Sequence, residues 1–516
     1  MKKAKGSGNK GRRTGIAGFF ASSFLRFVLL IILFSALLSG GVIAYLIRSG
    51  AFDGPAAESS AETTSETTGE TAAASYVDPY ADESNIDEQT YYLGNGSEKI
   101  KFWSYTIEEA DMIKQYILQH PEFGNKYTVE YKVIQMTNDG YTRAISKALS
   151  EGGENAPDIY TAEEEFVLSC TKGSLSKYAA SYYDLGIDVD RKIKEADIVK
   201  YITEIGSRNG DIVALGYQSA GCAMIYNAEI AREVFGTDDP DMIESITGAN
   251  TGKWDKFLEA AIMLKNKGYA AVSGPDDIWN ICSRAADTPW IVDGKLNIDP
   301  KRSEYLSIAK KLKDNDLTNN TLQWSESWNM DMREEGRRKV FAFFGPAWFL
   351  NYNMRFTGGV RPGDGSFGKW RVCNPPQVSF WGGSWILANK DTKHKEAVAG
   401  IIEWMTLDIS EKGLQYQLAN GLIMTENGTG MPVMDTVASA TVMARANGTL
   451  EFCGGQNVYP VFIAVNQAAT SKSMTEYDKI INLYYIDAVN SYADGKLDRA
   501  GAVNAFRTKV QKNLNI

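Results

Sequence analysis

Aromatic and acidic side chains stand directly after several apolar segments, where they are well placed to contact a ligand. Trp103 and Ser104 follow one such segment, and Glu163 and Glu164 follow another. An indole ring covers apolar surface, while a carboxylate accepts strong hydrogen bonds from hydroxyl groups. These groups favour non-covalent recognition. The two glutamates also fit a solvated helix start, because acidic groups are stabilised at a helix N-terminus.

Groups typical of metal binding and of histidine-based catalysis are scarce. The chain has two histidines, His120 and His394, and neither has a metal-ligand spacing. The five cysteines are widely separated, without a Cys-x-x-Cys pair, and fit buried thiols or one disulfide. They are Cys170, Cys222, Cys282, Cys373 and Cys453. We expect no catalytic residue, no metal and no cofactor.

Alternating strands and helices position the side chains at the segment ends. Residues 99–105 and 127–134 alternate like strands, and the helix between them opens with a Thr106–Glu109 capping box. A second helix at 139–151 leads to a short strand at 157–160. This order predicts βαβ units and a parallel sheet, with ligands bound beyond the carboxyl ends of the strands.

A second α/β region follows the first. Its predicted strands are residues 212–217, 223–227, 340–344 and 385–388. Its predicted helices include 228–235, 254–267 and 395–407, and the tail is helical at 474–493 and 499–514. With 516 residues the chain is long enough for more than one core.

The N-terminal part predicts a membrane anchor. Residues 27–47 are uncharged and apolar, and as a helix they span the thickness of a hydrocarbon core, about 30 Å. Seven basic residues and no acid precede Phe27, so residues 1–26 form a basic head that stays in the cytoplasm. The alternative is a cleaved signal peptide, whose apolar region is usually shorter.

Residues 48–97 predict an acidic Ser/Thr/Ala/Glu linker. Residues 49–98 carry eleven acids and no base, and 56–75 contain only Ala, Glu, Ser, Thr and Gly. Such a segment has too few apolar side chains to repay its ordering entropy, so we expect it to be disordered. The body beyond it is mildly acidic, which argues against nucleic acid as a partner.

The body, residues 99–516, resembles the extracellular solute-binding proteins of ATP-driven sugar importers, in the maltodextrin-binding branch (family 1). The resemblance depends on motifs in the family's order rather than on any single one. They are Trp103-Ser104, Pro157-Asp158-Ile159, the segment 214–227, Trp254-Asp-Lys-Phe257, Gly345-Pro346-Ala347-Trp348, and 381–388 with Trp404. The alanine inside Gly-Pro-Ala-Trp and the uncleaved anchor, in place of a lipidated cysteine, depart from the family.

The resemblance implies an α/β, two-lobe periplasmic-binding-protein-like fold (type II), preceded by the transmembrane helix and the disordered linker. Lobe I would comprise residues 98–218 and 384–431, and lobe II residues 219–383 and 432–516. The chain would cross between lobes near 218–223, return near 380–384, and cross again near Met431-Pro432. Hinged crossing strands of this kind let lobes close on a ligand.

The resemblance also implies that carbohydrate lies between the lobes. Aromatic faces would cover sugar rings, and planar polar groups would bind the hydroxyls. One of Trp279, Trp290, Trp324 and Trp328 would also line the cleft. The predicted ligand-binding residues are Trp348, Trp381, Trp103, Glu163, Glu164, Gln218 and Ser384.

The predicted function is capture of an oligosaccharide and its delivery to the membrane subunits of an ABC permease. The protein would be a monomer held by its own helix at the outer face of a bacterial, Gram-positive cell. Two alternatives remain open. The closed form could be presented to a signalling partner, or the chain could be an extracellular glycan-active enzyme, which would need two carboxylates across a cleft.

Overall fold

The chain folds into two main β-sheets, each flanked by helices. The structure, a computed structural model, describes residues 88–424 and 432–514. Among these residues, no helix is both long and apolar enough to cross a membrane. The basic head, the predicted anchor at 27–47 and the linker up to residue 87 lie outside the described residues.

The strands are numbered in chain order. They are β1 Glu88–Gly94, β2 Glu98–Ser104, β3 Tyr127–Ile134, β4 Ile159–Glu163, β5 Ser207–Arg208, β6 Asp211–Ile212, β7 Ala214–Gly216, β8 Ala223–Asn227, β9 Ile291–Val292, β10 Lys295–Leu296, β11 Ala342–Gly345, β12 Trp370–Cys373, β13 Ser384–Ala388, β14 Ile423–Met424, β15 Pro432–Val433, β16 Thr449–Leu450 and β17 Gln456–Asn457.

The α-helices are numbered in the same way. They are α1 Glu108–Gln119, α2 Pro121–Lys126, α3 Gly140–Glu151, α4 Val167–Thr171, α5 Val189–Ala196, α6 Lys200–Gly206, α7 Ala228–Phe235, α8 Pro240–Thr247, α9 Asp255–Asn266, α10 Asp276–Arg284, α11 Pro300–Asp314, α12 Glu326–Met332, α13 Arg355–Gly358, α14 Lys395–Thr406, α15 Leu414–Ala419, α16 Ala440–Met443, α17 Tyr459–Ala468, α18 Asp478–Ala493 and α19 Arg499–Leu514. A π-helix, Phe349–Met354, precedes α13.

The first sheet has six strands in the order β1-β3-β2-β4-β13-β7. Strand β2 pairs in parallel with β3 and β4, which confirms the predicted βαβ units. Strand β13 returns to this sheet late in the chain and pairs antiparallel with both β4 and β7. This sheet, with the helices packed on it, forms lobe I.

Strand β1 lies within the predicted linker, so the predicted disordered segment extends too far. Residues Glu88–Gly94 pair with β3 along their whole length, in an antiparallel register, instead of being part of a disordered tether. The prediction was wrong because the acidic composition outweighed the β-prone sequence Gln-Thr-Tyr-Tyr-Leu. In the structure, Leu93 of this sequence is buried and Tyr91 packs on the core.

The second sheet contains β11, β8 and β12, with β8 in the centre and both neighbours antiparallel to it. A separate core lies against it, and the Trp254-x-x-Phe257 motif belongs to this core. Trp254, at the start of α9, packs edge-on against Phe257 and Phe344, with ring centroids 5.4 and 5.3 Å apart. Helices α11, α18 and α19 complete lobe II.

The chain passes between the two sheets twice in adjacent segments. It leaves lobe I after Gly216 and enters lobe II at Ala223, and it returns between Cys373 and Ser384. A β-bridge joins Gly221 and Phe380, so the two crossings run side by side. The two crossings comprise residues 217–222 and 374–383.

The third crossing lies later than predicted. The main chain at Ala438 and the Ser439 hydroxyl group still bond to lobe I, at Val199 and Ala196. Contact with lobe II begins at Phe452, whose carbonyl oxygen accepts from Gly368. The predicted boundary at Met431-Pro432 is therefore too early, because α16 packs on lobe I helices α5 and α15.

All five cysteines are free and buried. Of the two predicted alternatives, buried thiols and one disulfide, the structure has the buried thiols.

Candidate functional site

Three tryptophans form a partly exposed cluster beside the return crossing. The Trp324 and Trp348 rings are parallel within 3°, with centroids 6.5 Å apart. Trp381 contacts both, at centroid distances of 5.6 Å from Trp324 and 4.9 Å from Trp348. Trp328 and Phe349 lie behind them in the core. The exposed parts of the three indoles make one continuous aromatic surface.

The Gly345-Pro346-Ala347 turn places Trp348 at the end of a buried strand. Strand β11 ends at Gly345, and a Cβ atom there would stand 2.3 Å from the Phe349 ring, so only glycine fits. The Trp348 Nε1 atom donates a hydrogen bond to the carbonyl oxygen of Trp381, 3.1 Å away. The inserted alanine leaves Trp348 half-buried at the edge of the crossing.

Glu163 lies on the lobe I side of this cluster. A Cβ atom on Gly382 would be 3.4 Å from the Trp348 indole and 3.5 Å from Glu163 Oε1. The carboxyl and the indole therefore both lie beside that glycine. Burial, together with the charges of Glu165 and Glu164, holds the pKa of Glu163 well above its usual range. A protonated carboxyl there can donate as well as accept a hydrogen bond.

Ser384 lies directly across the sheet from Glu163 and is buried. Its hydroxyl group hydrogen-bonds to the Tyr105 hydroxyl group. Burial and the nearby Glu163 charge raise the pKa of Tyr105 well above its usual value. Tyr105 and Ser384 therefore stay uncharged and present hydroxyl groups beside Glu163.

A second group of carboxyls lies between the lobes. Glu108 Oε1 accepts a hydrogen bond from the Tyr352 hydroxyl group at 2.9 Å, and this bond joins α1 of lobe I to the π-helix of lobe II. Burial and the Glu109 charge raise the pKa of Glu108 to about 8. Tyr352 follows Trp348 by four residues, so the two aromatic side chains project from neighbouring positions of one helical segment.

Gln218 lies at the first crossing, and its side chain hydrogen-bonds to Asp435. Its Nε2 atom donates to Asp435 Oδ2 at 3.0 Å, and both residues are buried. Burial and the Glu108 charge raise the pKa of Asp435 well above its usual range. Gln218 thus links the first crossing to the segment that contains Asp435.

Two further predicted site residues, Trp103 and Glu164, contact other groups. The Trp103 ring is partly buried and lies under Lys132 Nζ, which is 4.9 Å from the ring centroid. Glu164 is buried in an ion pair with Arg284, 2.5 Å away, so its carboxylate is already bound by the protein.

Sequence reasoning missed several residues of the cleft. Trp324 was left undecided among four tryptophans, while Trp279, Trp290 and Trp328 are buried in the cores.

Glu109 does not complete a capping box, because its carboxylate accepts from Ser104, Tyr131 and Tyr217. Tyr105, Glu108, Tyr352 and Asp435 carry no signal beyond their residue type.

The described residues contain no cluster of three or more His, Cys, Asp and Glu that could hold a metal ion. Elsewhere on the surface, a groove of about 900 Å³ beside Lys172, Arg208 and Lys472 includes none of the residues above. The candidate site combines indole rings of lobe II and the return crossing with hydroxyl and carboxyl groups of lobe I.

Solved structures share this two-lobe architecture. An extracellular solute-binding protein of family 1 aligns with 80% of this chain and 99% of its own, with 14% identity and a TM-score of 0.63. The galacto-N-biose/lacto-N-biose I-binding protein of an ABC transporter from Bifidobacterium longum, in complex with lacto-N-biose, covers 82% and 99%, with 16% identity and a TM-score of 0.57. The GacH receptor of Streptomyces glaucescens, whose structures include acarbose complexes, covers 81% and 98%, with 16% identity and a TM-score of 0.54.

Sequence comparison gives the family directly. No curated protein matches the sequence at a significant level. The model of the bacterial extracellular solute-binding proteins matches residues 120–423, which is more than half of the chain and includes the tryptophan cluster. The description of this family is that of extracellular proteins that bind solutes. The chain belongs to the family of bacterial extracellular solute-binding proteins.

Proposed function

We propose that the protein captures an oligosaccharide between its two lobes and delivers it to the membrane subunits of an ABC permease. The observation that carries this proposal is the tryptophan cluster facing Glu163, Tyr105 and Ser384. Sugar rings have apolar C–H faces that pack on indole surface, and their hydroxyl groups need polar partners that both donate and accept. The uncharged Tyr105 and Ser384 hydroxyl groups and the Glu163 carboxyl supply such partners.

The related structures support the same ligand class. Two of the aligned binding proteins are named with lacto-N-biose and with acarbose as their ligands. We assign the ligand-facing roles here to Trp324, Trp348 and Trp381 as stacking surfaces. Glu163 and Ser384, with Tyr105, bind hydroxyl groups in this proposal.

Calorimetric titration of the purified protein with a panel of oligosaccharides tests this proposal. We expect binding heat with at least one glycan, and recovery of that glycan unchanged after incubation. Hydrolysis of the glycan would indicate an enzyme instead. Absence of heat with every member of a broad panel would contradict the carbohydrate assignment.

We also propose that residues 27–47 are an uncleaved anchor that holds a monomer at the outer face of the cell membrane. The length of the apolar run and the basic residues before it support this arrangement. Fractionation of cells that produce the chain with and without residues 27–47 checks it. Release of the full-length chain into the medium would contradict the anchor.

Import is distinguished from ligand sensing by the phenotype of a deletion. If the protein serves a permease, its loss abolishes uptake of the glycan that binds. A transcriptional response that disappears while uptake is intact would identify a sensor.

A further inference from the structure

Arg284 binds one carboxylate from each lobe. It is the last residue of α10 in lobe II and is 8% exposed. Its Nη2 atom is 2.5 Å from Glu164 Oε1, at the end of β4 in lobe I. Its Nη1 atom donates to Asp478 Oδ2 at 3.1 Å, in the first turn of α18 in lobe II. One guanidinium group therefore spans the boundary between the lobes.

Lys479 makes a second set of ionic contacts across the same boundary. Its Nζ atom is 2.6 Å from Asp139 Oδ1 and 3.4 Å from Glu165 Oε2, and both acids belong to lobe I. Two cations of lobe II thus meet three acids of lobe I. The contacts differ in burial, because the Lys479 side chain is half-exposed while the Arg284 and Glu164 side chains are almost fully covered.

These ion pairs hold the turn that carries Glu163. Glu164 and Glu165 follow Glu163 directly, and the main-chain N–H of Glu165 donates to Glu163 Oε2 at 2.7 Å. When Arg284 and Lys479 bind Glu164 and Glu165, this turn is fixed from the lobe II side. The Glu163 carboxyl is then directed to Gly382 and the Trp348 indole.

We propose that Arg284 is a positioning residue that couples closure of the lobes to the placement of Glu163 in the ligand cleft. The inference rests on the proposed function, since it concerns closure of the same cleft. When the lobes separate, the Glu164 carboxylate regains water. When they close, it is buried, and a buried carboxylate without a partner is costly. Arg284 acts in this way without touching the ligand.

The electrostatics of Glu164 show why its partner matters. Burial raises the pKa of Glu164, although the Arg284 guanidinium opposes this shift. The guanidinium therefore offsets the cost of burying this carboxylate. Removal of the guanidinium would leave that cost without this offset in the closed form, whereas the pair with Asp478 inside lobe II would be lost from both forms.

Single-molecule energy transfer on the full-length protein, without added sugar, tests the proposal. Labels are placed through Glu151→Cys in lobe I and Glu259→Cys in lobe II, both at exposed positions, while the native cysteines are buried. We expect Arg284→Gln to lower the ratio of closed to open molecules at least about tenfold. Arg333→Gln is the matched control, because Arg333 pairs with Glu326 and Glu335 inside lobe II.

A double variant separates positioning from a general loss of structure. Glu164→Gln with Arg284→Gln removes both charges, and we expect it to regain most of the closed fraction that Arg284→Gln loses. An unchanged ratio in Arg284→Gln, or a double variant no better than the single one, would overturn the proposal. If Arg284→Gln opens the protein but no oligosaccharide closes it, the role of Arg284 in closure is supported. The carbohydrate assignment is then contradicted.

Discussion

The indole N–H of Trp348 bonds to the main-chain carbonyl oxygen of Trp381, 3.1 Å away. Trp348 comes from the strand end of lobe II, and Trp381 lies in the segment that returns to lobe I. The aromatic surface is therefore built on the hinge itself. Movement of the hinge and the shape of the aromatic surface are linked through this bond.

Loss of the Trp348 indole should weaken ligand binding. We expect Trp348→Ala to reduce affinity for the bound oligosaccharide at least about tenfold, or about 1.4 kcal/mol, because it removes one of the three indoles of the stacking surface. Titration calorimetry measures the change. Trp103→Ala is the matched control, since the Trp103 ring lies under Lys132 and not among the three clustered indoles. Equal losses in the two variants would contradict the assignment.

A methyl group at Gly382 should occupy space beside the same surface. Gly382 has a φ of +76°, and its Cβ would be 3.4 Å from the Trp348 indole. We expect Gly382→Ala to cost about 1 kcal/mol of folding stability through backbone strain and to weaken ligand binding as well. Gly210→Ala has a comparable φ of +96° but no atom within 4 Å of the added Cβ. That control should lose stability without losing affinity, as chemical denaturation and calorimetry would show.

The hydroxyl group of Tyr352 should contribute to the contact between the lobes. Tyr352→Phe removes its hydrogen bond to Glu108, and we expect ligand affinity to fall by about 1 kcal/mol. Tyr183→Phe removes a similar bond, from the Tyr183 hydroxyl group to Asp190, within lobe I. Affinity should be unaffected in that control. A Tyr352→Phe protein with wild-type affinity would show that this bond does not contribute to closure.

Stability should fall as the pH rises through neutrality, in part because of Glu108. Its pKa is raised to about 8 in the folded protein by burial and by Glu109, above the ordinary glutamate value near 4.5. The folded state therefore binds more protons than the unfolded state between these values, and the free energy of unfolding decreases with pH. Denaturant unfolding at pH 5 and pH 8 measures this change. The decrease should be smaller in Glu108→Gln, and an unchanged or larger one would contradict the shift.

The fold was predictable where one signal dominated. Strand alternation and helix periodicity located β2, β3 and β4, and glycine with proline marked the turn before Trp348. Strand β1 was missed because its acidic neighbours outweighed a short β-prone sequence. The late third crossing was missed because pairing with lobe I at Ala438 and Ser439 depends on contacts far apart in the chain.

The site was only partly predictable for a similar reason. Trp348 and Trp381 stand beside turns that fix their surroundings, so the sequence points to them. Trp324 has a positive φ of 68° in a loop without periodicity, and its place beside Trp348 depends on tertiary packing. Glu163 and Glu164 look alike in sequence, yet one faces the indoles and the other is bound by Arg284. That difference depends on a residue of the opposite lobe.

A crystal structure with the oligosaccharide that binds most tightly would show where the ligand lies. We expect a sugar ring packed on the Trp348 indole between the lobes, with a ligand hydroxyl group hydrogen-bonded to Glu163. A glycan bound outside this cleft, for example in the groove beside Lys172 and Lys472, would contradict this expectation.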